Sequence, residues 1–172
     1  MSKLKYIVVV SIPISVEVEA LNEEDAKKKV YDHLVATNQI KSADYVKINT
    51  KWAAKRFKEL GAEVSGTETH LFLLNTLKSY NLTGLEAQKK LEEIGITTNK
   101  NMLPNDTLKP SETSGLRIGF AAATTRGCNL SQAISISTLI HNYLSGNLDT
   151  STATYCKEGI IKNWKDISNL SV

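Results

Sequence analysis

Two helix-start signatures do most to limit how this chain can fold. Thr83 is followed three residues later by Glu86, and Asn129 by Gln132. In each pair, the side chains can serve one another's backbone amides and close a helix N-terminus that would otherwise leave donors orphaned. An apolar stripe and a terminating glycine follow both. Leu85, Leu91 and Ile94 precede Gly95; Ala133, Ile136, Ile140 and Leu144 precede Gly146. Between these helices, ITTN at 96–99 reads as a short strand and LRIGFAAAT at 116–124 as a longer one. Residues 100–115, with Pro104, Pro110 and Gly115, read as a loop. Helices and short strands alternating this closely predict an α+β two-layer sandwich with a small antiparallel or mixed sheet.

The alternation continues on both sides. HLFLL at 70–74 reads as a buried strand, after a helix lined by Ala53, Phe57 and Leu60 that stops at Gly61. Ala153, Cys156, Ile160 and Trp164 line a last helix. Near the start, YIVVV is a β-branched run, and Ile14, Val16, Val18 and Ala20 alternate with polar residues as in a half-buried strand. Residues 5–20 are therefore expected to form an antiparallel pair. Asn22 opens a helix striped by Ala26, Val30 and Leu34, and YVKI at 45–48 reads as a third short strand. The expected division is a ββα(β) unit over 1–48 and a second domain over 49–172.

Composition narrows the function classes. A net charge of +3 on 172 residues, with scattered lysines, does not indicate nucleic acid. Lys27, Lys28 and Lys29 read as a solvated helix face. Cys128 and Cys156 have neither CxxC spacing nor a histidine pair, so no metal site is indicated; buried, reduced thiols in a cytoplasmic protein are expected. The run YIVVVSIPI is too short for a membrane span and is broken by Ser11 and Pro13.

Arg117 is the one cation within SETSGLRIGFAAATT. A guanidinium in such a strand either receives a carboxylate through two parallel hydrogen bonds or pairs with a local acid. Five stretches settle which family to consider. GTETHLFLL, NLTGLEAQKKLEEIGITTNKN, PND, TSGLRIG and TTRG, in that order and spacing, resemble the C-terminal small domain of serine hydroxymethyltransferase. That family moves a one-carbon unit between serine and tetrahydrofolate on pyridoxal phosphate. The resemblance covers roughly residues 49–145 and implies the small-domain fold of fold type I pyridoxal-phosphate enzymes.

The resemblance also implies roles. Arg117 matches the arginine that grips the α-carboxylate of the amino-acid substrate. Asn101 matches an asparagine near the folate; a turn asparagine is the other reading. His70 matches a histidine beside the strand and is read as structural, Lys100 as a solvated loop lysine, and Asn105 and Asp106 as turn-formers. There are departures too. Phe120, Ala121 and Ala122 stand where the family usually has Thr-Pro-Ala, and Glu112, five residues before Arg117, would compete with an anionic ligand.

The family's large domain supplies the Schiff-base lysine and the phosphate loop, and residues 1–48 have the pattern of neither. The chain alone is therefore expected to hold no cofactor and to catalyse nothing. Three functions follow. One is a non-catalytic protein that binds or regulates a partner, such as a folate-pathway enzyme, as a viral or mobile-element mimic would. Another is the separately encoded half of a split hydroxymethyltransferase. The third is a protein that captures a small anion, an amino acid or a folate. Its exposed face is expected to be covered by residues 1–48, by a second copy or by another protein.

Overall fold

A computed structural model of the chain describes residues 4–9, 15–22, 25–26, 28–30 and 42–164. These fall into two compact units, Met1–Tyr45 and Val46–Val172. In the first, β1 (Leu4–Val9) and β2 (Ser15–Ala20) form an antiparallel pair, as expected. Their register sets Val8 against Val16 and Tyr6 against Val18. Residues 25–26 and 28–30 are helical. The Asn22 side chain accepts from Asp25 N at 2.9 Å, which starts the helix where the sequence places it. Ala26 and Val30 are fully buried; Ile14 and Leu34 lie outside the described residues.

The expected strand at 45–48 is instead part of helix α1 (Ser42–Glu59). Its buried positions are Tyr45, Val46, Asn49, Thr50, Ala53, Ala54 and Phe57, a helical stripe that includes the polar Asn49 and Thr50. Thr50 Oγ1 donates to Val46 O at 2.7 Å and to His70 O at 3.1 Å. Asn49 Nδ2 donates to Thr124 Oγ1 and Cys128 O, both at 3.0 Å. These bonds satisfy hydroxyl and amide donors that would otherwise be costly to bury.

The second unit is an α+β two-layer sandwich. Three antiparallel strands lie in the order β3 (Leu71–Asn75), β5 (Gly115–Gly119), β4 (Asn99–Asn101). Helices α2 (Thr76–Tyr80), α3 (Gly84–Glu93), α4 (Ala121–Thr125), α5 (Leu130–Leu144) and α6 (Thr150–Ile161) complete it. Both predicted capping boxes are present, Thr83–Glu86 on α3 and Asn129–Gln132 on α5. Phe72 and Leu74 of β3 and Leu116 and Ile118 of β5 join one buried cluster with Phe57, Leu91, Ile94, Ile140 and Tyr143 from the helices. Cys128 is fully buried there and Cys156 half-buried. No described helix is long and apolar enough to cross a membrane.

Three element boundaries differ from expectation. The strand expected over 96–99 starts only at Asn99, the first residue in register with β5, and runs on to Asn101. The strand expected over 116–124 ends at Gly119. Ala121, Ala122 and Ala123 continue as helix α4, following their intrinsic preference. Helix α6 stops at Ile161, so Trp164 packs against the core from beyond its end.

Candidate functional site

Side chains on β5 alternate between the two sheet faces. Leu116 and Ile118 face the helices; Gly115, Arg117 and Gly119 face outward. Both glycines are required by close approach. A Cβ on Gly119 would stand 2.7 Å from His70 O, and one on Gly115 2.9 Å from Leu74 O. The outward face of the central strand thus carries a single side chain, Arg117.

Arg117 is exposed and sits mid-strand, opposite Leu73 of β3 and Asn99 of β4. Among the described residues its guanidinium makes no hydrogen bond and no ion pair. Glu112 does not compensate it: the residue is exposed in the loop before β5, where its carbonyl accepts from Leu85 N at 3.0 Å. Asn101 is half-buried, opposite Gly115 and on the same sheet face as Arg117. Such a diagonal pair lies about 7–8 Å apart. One Asn101 amide hydrogen is used locally, Nδ2 donating to Met102 O at 2.6 Å.

The structure therefore brings Arg117 and Asn101 onto one face and adds Asn99, which sequence reasoning missed, and His70, which it read as structural. Asn99 lies directly across from Arg117, and period two from Asn101 was the available signal. His70 is exposed beside the strand; its carbonyl accepts from Thr50, and the residue lines the same depression as Arg117. That depression, about 380 Å³, is also lined by Leu71, Thr97, Thr98, Asn99 and Ala122, with no carboxylate among its lining residues. Beyond Leu73, the outward face continues into a groove lined by Val64, Leu73, Leu77, Leu103 and Pro104. An open, uncompensated guanidinium beside neutral amides can take a carboxylate in bidentate fashion.

The loop between β4 and β5 is fastened at two points. The Asp106 carboxylate accepts from Leu103 N (3.2 Å), Leu108 N (2.9 Å), Ser114 N (2.8 Å) and Ser114 Oγ (2.6 Å). Asn105 beside it adopts φ 59°, as a turn asparagine can. Lys100 is not a solvated loop lysine: its ammonium donates to Pro110 O at 3.1 Å and Ser111 O at 2.9 Å. The Ser114 hydroxyl, with the three amides, holds the Asp106 carboxyl down at about 2, against an ordinary 3.8. A carboxyl lowered on folding stabilises at pH above its unfolded value and ceases to do so as it is protonated. Fastening should thus be complete above pH 3.8 and disappear as pH falls from 3.8 towards 2. Amide exchange at Ser114 and Leu108 across that range checks this, and Asp106→Asn should remove the pH dependence.

The family profile described as serine hydroxymethyltransferase matches residues 25–140. A serine hydroxymethyltransferase of Mesoplasma florum is 38% identical over 148 residues, covering 84% of this chain and 33% of its own length. That of Borreliella burgdorferi (strain ZS7) is 43% identical over 112 residues, 64% of this chain and 27% of the relative. A probable serine hydroxymethyltransferase of Mesomycoplasma hyopneumoniae (strain J) is 51% identical over 81 residues, 46% of this chain and 19% of the relative. The chain spans a third or less of the length of these curated relatives.

Proposed function

The chain belongs to the serine hydroxymethyltransferase family, and on that premise we propose that it is a carboxylate-binding half-site, non-catalytic by itself, that a protein partner completes. The observation that supports this is Arg117: exposed, flanked on its sheet face by two glycines, and without an anionic partner among the described residues. Left open to water, such a guanidinium binds a carboxylate weakly, about 0–1 kcal/mol. A second surface laid over the sheet would exclude water and raise that value.

Members of the family use pyridoxal phosphate. The described residues do not fit that group. A phosphate is commonly received at a helix N-terminus with free amides, but α2, α3, α5 and α6 each have theirs closed by a side chain, from Asn75, Thr83, Asn129 and Asp149, and α4, which has no side-chain cap, is only five residues long. On the strand beside Arg117, the Lys100 ammonium is already bound to two carbonyls. The chemistry the cofactor supplies therefore belongs to the partner. On this reading the partner is a folate or one-carbon enzyme surface like the other two-thirds of the relatives, and the chain either completes that surface or occupies and regulates it.

The test is to mix the chain with the separately expressed remainder of the Mesoplasma florum relative, loaded with cofactor. A one-to-one complex is expected, whose cofactor absorbance responds to glycine and loses that response with Arg117→Ala. A complex insensitive to glycine would mean a regulatory occupant. No complex at micromolar concentrations would sink the proposal. The chain alone, incubated with pyridoxal phosphate, is expected to retain no stoichiometric cofactor absorbance after gel filtration.

A further inference from the structure

A second cleft of about 380 Å³, formed by β5, α4, α5 and α6, adjoins the first and shares Arg117 with it; it is large enough for a small ligand. Its apolar lining comes from Ile118, Phe120, Ile136, Ile140 and Ile161. Three cationic residues line it, Arg117, Arg126 and Lys157, with no aspartate or glutamate among the lining residues.

We propose that this cleft binds an organic anion with an apolar body, of the aromatic dicarboxylate class, one acid group being received by Lys157 and the other by Arg117. Lys157 is half-buried, and among the described residues it makes no hydrogen bond or ion pair. Its ammonium is brought over the bend after α3, 3.0 Å from where a Cβ on Gly95 would be. Gly95 leaves that space and has φ 69°, so its backbone and its missing side chain both favour the placement. A partly desolvated ammonium without a counter-ion is an incomplete arrangement that an incoming carboxylate completes.

The indole of Trp164 supplies a fixed flat wall. Its Nε1 donates to Gln132 Oε1 at 3.1 Å, and the Arg126 guanidinium lies 5.6 Å from the ring centroid. An aromatic ring stacks on such a surface at little entropic cost, because the wall is already oriented. Apolar lining, the oriented indole, the Lys157 ammonium and the Arg117 guanidinium select for a ligand that is both flat and anionic.

This site shares Arg117 with the proposed half-site but is read independently through Lys157, which the half-site does not use. The experiment titrates benzene-1,3-dicarboxylate into the isotopically labelled chain. The Trp164 indole and the Gly95 and Ala122 amides are followed by NMR, with benzyl alcohol and inorganic phosphate as controls. Saturable shifts at these three positions are expected, at least fivefold weaker in Lys157→Gln and largely kept in Lys157→Arg. Both controls should bind at least fivefold more weakly than the dicarboxylate. No saturable shift, or unchanged affinity in Lys157→Gln, would overturn the proposal. Equal binding of phosphate would remove the role of the apolar lining and also overturn it. Failure of the partner experiment with intact dicarboxylate binding would count against the half-site alone.

Discussion

Arg117→Ala is expected to leave the isolated chain folded and to disable any completed site. The side chain is exposed and makes no hydrogen bond or ion pair with described residues, so its loss should move stability by no more than about 0.5 kcal/mol. Once a partner excludes water, the same guanidinium would face a ligand carboxylate in a low-dielectric pocket. Truncating one member of such a pair costs about 2–5 kcal/mol, roughly 30-fold to several thousand-fold in affinity. Arg117→Lys keeps the charge but not the planar fork and should fall between. Thermal melts of the free variant, with calorimetric titration of glycine or serine into the partner complex, measure both halves. Equal ligand affinity for wild type and Arg117→Ala in that complex would make the arginine a remnant without a role.

Phe57→Ala is expected to have the opposite profile: a large loss of stability with no direct effect on the open sheet face. The ring is fully buried, and its centroid lies 5.7 Å from that of Phe72 at a 56° tilt. It joins α1 to the inner face of β3. Truncating a buried phenylalanine to alanine costs about 3–5 kcal/mol, a large part of the total stability of a typical domain, about 5–15 kcal/mol. Phe57→Leu keeps most of the volume and should cost less than about 1.5 kcal/mol if the core repacks. Urea denaturation followed by far-ultraviolet circular dichroism resolves the two. A cost below about 1 kcal/mol for the alanine variant would mean that α1 is not tied to the sheet through this residue.

These two residues also show where the sequence is informative. Phe57 sits in an apolar stripe with Ala53, and the helix periodicity points to its burial directly. The beginning of the same helix was illegible for a physical reason: its buried face there contains Asn49 and Thr50. Their polarity hides the 3.6-residue period and leaves YVKI looking like a strand. The bonds that make these residues tolerable inside, from Asn49 to Thr124 and Cys128 and from Thr50 to His70, reach across 20 to 79 positions. No local pattern encodes them. The capping boxes lie at the other extreme, because both partners are three residues apart.

The site divides in the same way. Arg117 was conspicuous as one cation in a neutral run, and the family resemblance drew attention to Asn101. Asn99 was not conspicuous, and His70 was noticed but read as structural. Their nearness to Arg117 depends on how β4 and β3 register against β5, and register is set by pairing and packing beyond any short segment. The helical turn after Gly119 was hidden because FAAAT extends an apolar run without interruption, and only the alanines' helix preference distinguishes it. Lys157 and Trp164 reach their cleft through the placement of α6 and the residues after it, which sequence spacing does not fix.

The loop fastening has a bearing on ionic strength. Asp106 and Lys100 carry opposite charges, yet neither bond set described above joins one to the other. Each holds backbone dipoles at hydrogen-bond distance: amides for the carboxylate, carbonyls for the ammonium. Mobile ions screen charges separated by about a Debye length, near 8 Å at physiological salt, and have little purchase on contacts this short. Capture of a distant anion by the exposed Arg117 is, by contrast, open to screening. Added salt should therefore weaken what the sheet face attracts while leaving the loop beside it in place, so that recognition and scaffold can be titrated apart in one sample.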